Sequence, residues 1–457
     1  MRLFSQGFPP DDVFVHPRHE AAQKALPDLI LQLRAAANVK DGYELQQELI
    51  AHVRETEEAR NAFSKAVKRM EDGKSPQPDA PEPQSGRDRS LLETWRFERD
   101  VCERVARQFR CVGDALAWQV FGFQRRNIIA LCQNAPPGVW AGKAGAPAEL
   151  DAVEHAYRQD GQFAILHDMT NCLRIGDVTI FRSDGSRETI EVKSDPQRSK
   201  SAQQRQIKAA DDALQNAAPL PGKDRRARLF DLDVQFRTHL DLLALGTERA
   251  AREGIFAARL RGDRALLVAD IYGCSAQGWT DAEFAEQLDS KLRAARRRAG
   301  LGPRQPPDVH ATSMDSVSRD PQRVPFAAYP LHPVACARLI GDLAVFTVET
   351  SGPALAKSLG NAGFETRWVR PPGAVGDLAP GEVVMELSVI TGNQLLPGGL
   401  RAAATSTLQM RRSALDQYLI ELVDQDAWIR GMRRMIADPS AQGRPWPTYR
   451  GEDRVWL

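Results

Sequence analysis

The chain has 457 residues, 42% of them hydrophobic and 26% charged, a composition that excludes collagen-like, mucin-like and wholly disordered proteins. At about 150 residues per domain the length predicts two to four domains. Sixty-one Lys and Arg against 60 Asp and Glu leave a formal net charge of +1, so no global charge draws the chain to nucleic acid or membrane, and any polyanion has to be held by a local patch.

Twelve of the basic residues are lysine and 49 arginine. Arginine's permanently charged fork suits phosphate, although GC-rich coding gives the same excess. The six cysteines are scattered without a CxxC pair, against a zinc ribbon or a thioredoxin-type site. The N-terminal MRLFSQGFPPDD has prolines and acids where a signal peptide needs an apolar core, and no run approaches a membrane span. The expectation is a soluble, reduced, cytoplasmic protein.

In chain order, residues 1–72 read as a helical module, with Leu45, Leu49 and Val53 at helical spacing. Residues 73–89 are Pro-rich and polar and read as a linker. Ser90 with Glu93 predicts a capping box opening a long helix and a unit over 90–300. A helix from Pro147 ends at Gly161; then 163–167, 176–182 and 187–193 read as strands and 199–216 as a helix. A helix over 236–260, a strand over 265–271 and a basic helix ending at Arg298 close this unit. Residues 301–323 read as a second linker. Over 324–457 a C-terminal α/β module is expected, with strands 343–348 and 383–390, a capped helix 351–363 and a mainly helical 408–436.

The segment from Ile175 to Lys193 carries the chemistry. Asp184-Gly185 between two β-prone runs predicts a hairpin. Placing Val178 and Ile180 on one face with Ile190 and Val192 pairs Val178 with Ile190 and leaves Ser183-Asp184-Gly185 as the loop, with glycine left-handed. In that register Asp177 lies opposite Glu191, and Lys193 projects from the same face. Opposed Cβ atoms are about 4.5 to 5.5 Å apart, so the two carboxylates can share a divalent cation; without one they repel.

Asp177 followed by Glu191-Val192-Lys193 after a hairpin resembles the PD-(D/E)XK nuclease superfamily, and the order helix, three strands, helix over 163–217 resembles its core. Gly176 stands where the superfamily's name has proline. The resemblance implies an α/β protein with a restriction-endonuclease-like core, a mixed sheet flanked by helices, between the N-terminal helical and C-terminal α/β modules, with 265–271 as a fourth core strand. It implies phosphodiester hydrolysis with Mg²⁺, Mn²⁺ able to substitute, held by Asp177 and Glu191, with Lys193 orienting the attacking water and stabilising charge. DNA is expected before RNA, in restriction, anti-phage defence or repair, and the flanking modules are expected to serve targeting, gating or assembly with a second copy or a protein partner. The rival reading is a nucleic-acid-binding or scaffold protein that keeps the fold without turnover.

Glu154, on the helix before the strands, matches a further acidic metal ligand of some members; a solvated helix acid is the competing reading. Gln203, Gln204 and Lys208 on the following helix are candidate nucleic-acid contacts, against a solvated face. His167-Asp168 ends the first strand, where a structural histidine is the simpler account. Arg293, Arg296, Arg297 and Arg298, and the cluster Lys223, Arg225, Arg226 and Arg228, could track a phosphate backbone. Trp118, Trp140 and Trp368 could stack bases but also suit a core. No phosphate loop, HExxH, GxSxG or dinucleotide fingerprint is present.

Overall fold

The computed structural model describes residues 11–75, 82–84, 89–132, 138–192, 202–216, 218, 220, 237–302, 308–314, 320–373, 378, 382–395 and 401–437. Lys193 and the cluster Lys223, Arg225, Arg226 and Arg228 lie outside these residues, as do parts of both expected linkers. The architecture is mixed α/β, with three small antiparallel sheets among the described residues.

Helices α1 (Asp11–Phe14), α2 (Pro17–Ala35) and α3 (Val39–Glu71) form the N-terminal module. They pack on α4 (Leu91–Val120), which starts at the expected capping box of Ser90 and Glu93. Helix α2 also reaches the C-terminal half, where Arg34 donates to the Tyr329 carbonyl at 2.7 Å. His19, fully buried on α2, faces the Gly341 carbonyl.

Burial, helped by the Arg104 charge, lowers the His19 pKa to about 4 from its usual 6.5. His19 therefore takes up a proton at higher pH in the unfolded chain than in the folded one. Its contribution to stability is complete above pH 6.5 and is lost as the pH falls toward 4, by about 3 kcal/mol. The denaturation midpoint should drop between pH 7 and pH 4.5, and a His19 ring titrating near 6.5 by NMR in the folded protein would refute this origin.

After α5 (Arg125–Leu131) and α6 (Ala146–Asp160) comes the first sheet, a meander of β1 (Phe163–Leu166), β2 (Val178–Phe181) and β3 (Arg187–Ile190). Helix α6 stops at Gly161, which is left-handed at φ 63° as expected. The register is the predicted one, with Val178 opposite Ile190. Gly185 has φ 79°, and the Arg182 N–H donates to the Ser186 carbonyl at 2.9 Å across the loop. Strand β1 is an edge, and Gln46 of α3 closes it by donating to the Ala164 carbonyl at 2.8 Å and accepting from the Leu166 N–H at 3.0 Å. Helix α4 lies so close to the turn after β1 that a Cβ on Gly113 would sit 1.9 Å from the Met169 carbonyl oxygen. Helix α7 (Ala202–Asn216) follows β3.

The second sheet corrects two expectations. Helix α8 (Leu240–Glu253) does not continue to 260: Gly254, at φ 80°, ends it, and Ile255–Leu260 is strand β4. The segment expected as a fourth core strand is β5 (Arg264–Asp270); both its edges are taken by antiparallel partners, β4 on one side and β7 (Ala344–Thr350) on the other, so it does not join the hairpin sheet. The sheet order is β4-β5-β7-β6, with β6 (Val309–Thr312) rising from within the expected linker 301–323, so the sheet takes strands from both sides of that boundary. Helices α9 (Ile271–Ala276) and α10 (Asp281–Arg298) lie between β5 and β6.

Helices α11 (Pro333–Ile340) and α12 (Gly352–Asn361) flank β7, the latter capped by Ser351. The third sheet joins β8 (Glu365–Trp368), β9 (Val383–Leu395) and β10 (Arg401–Arg411). The expected helix over 408–436 thus begins as strand, and becomes α13 (Arg412–Leu419) and α14 (Gln425–Ala437). One continuous apolar core runs from α1 and α2 to α14. No helix among the described residues is long and apolar enough to cross a membrane.

Candidate functional site

The backbone around Asp177 is fixed from both sides. Its N–H donates to the Ile190 carbonyl at 2.9 Å, and its carbonyl accepts from the His167 N–H at 2.9 Å. Its Oδ2 accepts from the Val192 N–H at 2.9 Å, so the carboxylate is tied to the segment after β3 that carries Glu191. Gly176 explains the missing proline. Its φ is 82°, which a pyrrolidine ring held near −65° cannot adopt. A Cβ there would also come within 2.5 Å of Thr189 Cγ2 and 3.2 Å of the Ile190 carbonyl oxygen.

Beneath this corner His167 is buried and structural. Its Nδ1 faces the Gly176 carbonyl at 3.1 Å, which can only accept, so Nδ1 carries the proton and Nε2 accepts from the Thr179 hydroxyl at 2.8 Å. Thr179 in turn accepts from Thr189 at 2.9 Å. Burial lowers the His167 pKa to about 4, in keeping with this neutral ring.

Among the described residues the lysine that Asp177 meets is Lys143. The Lys143 ammonium lies 2.6 Å from Glu149 Oε1, 3.0 Å from Asp168 Oδ2 and 3.4 Å from Asp177 Oδ1. Three carboxylates from α6, from the turn after β1 and from the entry to β2 thus converge on one cation. Burial works against the Lys143 charge, but Asp168, Glu149 and Asp177 outweigh it and hold its pKa above the usual lysine value. At Glu149, which is 1% exposed, burial pushes the pKa up and Lys143 partly offsets this. The other oxygen, Oε2, accepts from Trp140 Nε1 at 3.2 Å.

The turn that presents Lys143 is hung from the N-terminal module. Glu57 of α3 accepts from the Trp140 and Ala141 N–H groups, both at 2.8 Å, and from Arg110 at 2.6 Å. Asn61, one helical turn on, donates to the Ala141 carbonyl at 2.9 Å. Arg110 also donates to the Asp168 carbonyl at 2.8 Å, and the buried Asp114 holds the Asn171 and Cys172 N–H groups.

Of the residues expected at the site, Asp177 is held at the hairpin, Glu191 and Val192 follow β3 half-buried, and Lys193 lies outside the described residues. Glu154 stands apart from the cluster: its partly exposed side chain pairs with Arg158 at 3.0 Å along α6. Gln203 is half-buried and Gln204 and Lys208 exposed on α7, whose Ile207 packs over Gly176. Arg296 is engaged by Glu349 through two bonds, at 2.6 and 2.8 Å, and Arg293 pairs with Asp289 on its own helix. Trp118 and Trp140 are core residues. Five of the six cysteines are buried, Cys274 being the partly exposed one.

Sequence reasoning missed Lys143 and Glu149. Helical phase could have found the latter, because Glu149, Val153 and Ala156 share the buried face of α6 while Glu154 does not. Among the described residues no group of three or more His, Cys, Asp or Glu is placed to hold a metal ion. The cluster's three carboxylates close on an ammonium instead. Comparison with protein families, curated proteins and solved structures finds no match for the chain.

Proposed function

We propose that the chain is a Mg²⁺-dependent nuclease acting on DNA before RNA, with Asp177, Glu191 and Lys193 as its site. The meander between α6 and α7 would be its restriction-endonuclease-like core. The observation that carries this reading is the register of β2 and β3, which ends on Val178 opposite Ile190 with Asp177 and Glu191 the next residues beyond that pair, and the Asp177 carboxylate bonded to the Val192 N–H.

The donors suit the ion. Mg²⁺ is usually held by one or two carboxylates, with water and substrate phosphate completing an octahedron. Asp177 and Glu191 supply two such groups, and Asp177 Oδ1 already faces a cation. When bound, the metal supplies Lewis-acid stabilisation of charge on the phosphate. Lys193, two residues beyond Glu191 in the sequence, would hold the attacking water and steady the charge that develops on phosphate.

The test is cleavage of plasmid, linear duplex, single-stranded DNA and RNA by wild type and Lys193→Ala, with and without EDTA. Mg²⁺-dependent cleavage that falls by about 10²-fold or more in the variant is expected. A second reading, a binding or scaffold protein without turnover, is favoured by one observation: Lys143 already neutralises three of the carboxylates as a structural cation would. Absence of cleavage on every substrate by folded wild type would select it.

A further inference from the structure

We propose that the C-terminal end of α10 and the adjoining edge of the second sheet form a surface that holds a nucleic-acid phosphate backbone. The proposal rests on the reading that the chain acts on nucleic acid, and names where that polyanion is held. Strand β4 is an edge of its sheet. Arg259 of β4 pairs with Ala265 of β5, and Ala265 packs against Ala295 of α10. Cross-strand partners share a face, so Arg259 is set on the α10 side of the sheet. Two cations of α10 cap the same edge: Lys291 donates to the Ile255 carbonyl, and Arg298 donates to the Ala257 carbonyl at 3.3 Å. The end of α10 is thereby fixed two residues from Arg259, about 7 Å along the strand.

The charge here is uneven. Arg293 and Arg296 are answered by Asp289 and Glu349, but Arg259, Arg297 and Arg298 are exposed and form no ion pair among the described residues. A helix dipole draws cations to a last turn, yet it does not account for Arg259, which belongs to a strand. Cations gathered without acids raise a local positive potential that a polyanion relieves. All three are arginine, whose planar fork can bind phosphate through two parallel bonds. Other partners fit less well. A helix seated on a membrane needs large apolar side chains beside its cations, and among the described residues no exposed large hydrophobic lies on α10 or β4. A peptide strand added to β4 would need the Ile255 and Ala257 carbonyls, which Lys291 and Arg298 occupy. Contacts of this kind position a duplex without reading its sequence.

The experiment is binding of a labelled mixed-sequence DNA duplex to the full chain in EDTA, read by fluorescence anisotropy across a salt series. Wild type is compared with the triple variant Arg259→Gln, Arg297→Gln, Arg298→Gln. The control is Arg249→Gln with Arg252→Gln on α8, where each arginine has a glutamate partner. The triple variant should bind roughly 10²-fold more weakly at about 0.1 M salt and lose about one unit of salt slope per arginine, with the control near wild type. Wild-type affinity and slope in the folded triple variant, or an equal loss in the control, overturn the proposal and leave the nucleic-acid reading standing. Failure of wild type to bind duplex, single-stranded DNA or RNA overturns both, and binding to phosphatidylserine vesicles in its place assigns the surface to a membrane. A measurement on wild type alone covers a variant that does not fold: arginine modification by a dicarbonyl reagent, read by mass spectrometry, should slow at Arg259, Arg297 and Arg298 when DNA is bound. Unchanged rates at these three in DNA-bound protein overturn the proposal.

Discussion

Asp177→Asn is expected to lower Mg²⁺-dependent cleavage by about 10³-fold while leaving the thermal unfolding midpoint nearly unchanged. The substitution preserves shape. An asparagine oxygen can still accept from the Val192 N–H, now at 2.9 Å, and the two backbone bonds that fix residue 177 do not involve its side chain. Lys143 keeps Glu149 and Asp168 as partners at 2.6 and 3.0 Å. What is lost is the negative charge, and with it one of the two carboxylates through which the proposed divalent cation would be held. A loss of several kcal/mol of charge stabilisation corresponds to the stated factor, because each tenfold in rate is about 1.4 kcal/mol. The reading is specific to the charge, so Asp177→Asn cutting at the wild-type rate would remove Asp177 from the site whatever the fate of Lys193→Ala.

The hairpin was legible in the sequence because its signals are local. Asp184-Gly185 sets the turn, period-two alternation sets the faces, and together they give the pairing of Val178 with Ile190 without reference to any distant residue. The capping box at Ser90 and the stop at Gly161 are local in the same way. Strand β4 was missed because Ile255-Phe256-Ala257-Ala258-Arg259-Leu260 continues an Ala-rich helical run, although Gly254 before it was a readable stop. Strand β10 was missed for a like reason, since Ala402-Ala403-Ala404 has little strand propensity and becomes strand through its long pairing with β9. The placement of β5 in the second sheet depends on β4 and β7, one adjacent and one some eighty residues away, and pattern alone does not choose between partners. The candidate site was half legible for the same reason. Asp177 and Glu191 flank the two ends of one hairpin, but Lys143 and Glu149 reach Asp177 through tertiary packing of α6 and of the turn before it.

Glu57→Ala is expected to destabilise the protein by about 3–5 kcal/mol, the range for removing one partner of a buried ion pair. Glu57 is 2% exposed and collects three donors, the Arg110 guanidinium at 2.6 Å and the Trp140 and Ala141 N–H groups at 2.8 Å. Truncation leaves a buried guanidinium without its acid and two backbone donors without an acceptor, which is costlier than losing the bonds themselves. Arg110 retains the Asp168 and Gly138 carbonyls, at 2.8 and 3.2 Å, and neither carries a full charge. Removing both members of the pair, as in Glu57→Met with Arg110→Met, should recover part of the loss, because no unpaired charge is then buried. The chemical-denaturation midpoint measures both effects, and a Glu57→Ala midpoint equal to wild type would show that the pair contributes nothing. The same substitution frees the turn that presents Lys143 and loosens the backbone of Asp168, two of the groups that surround Asp177. If the N-terminal helices shape the site in this way, cleavage by the folded Glu57→Ala protein should fall at temperatures well below its unfolding, since a misplacement of about 1 Å at a reacting centre costs on the order of 10²-fold. Full activity in a folded but destabilised Glu57→Ala protein would confine α3 to a purely structural role.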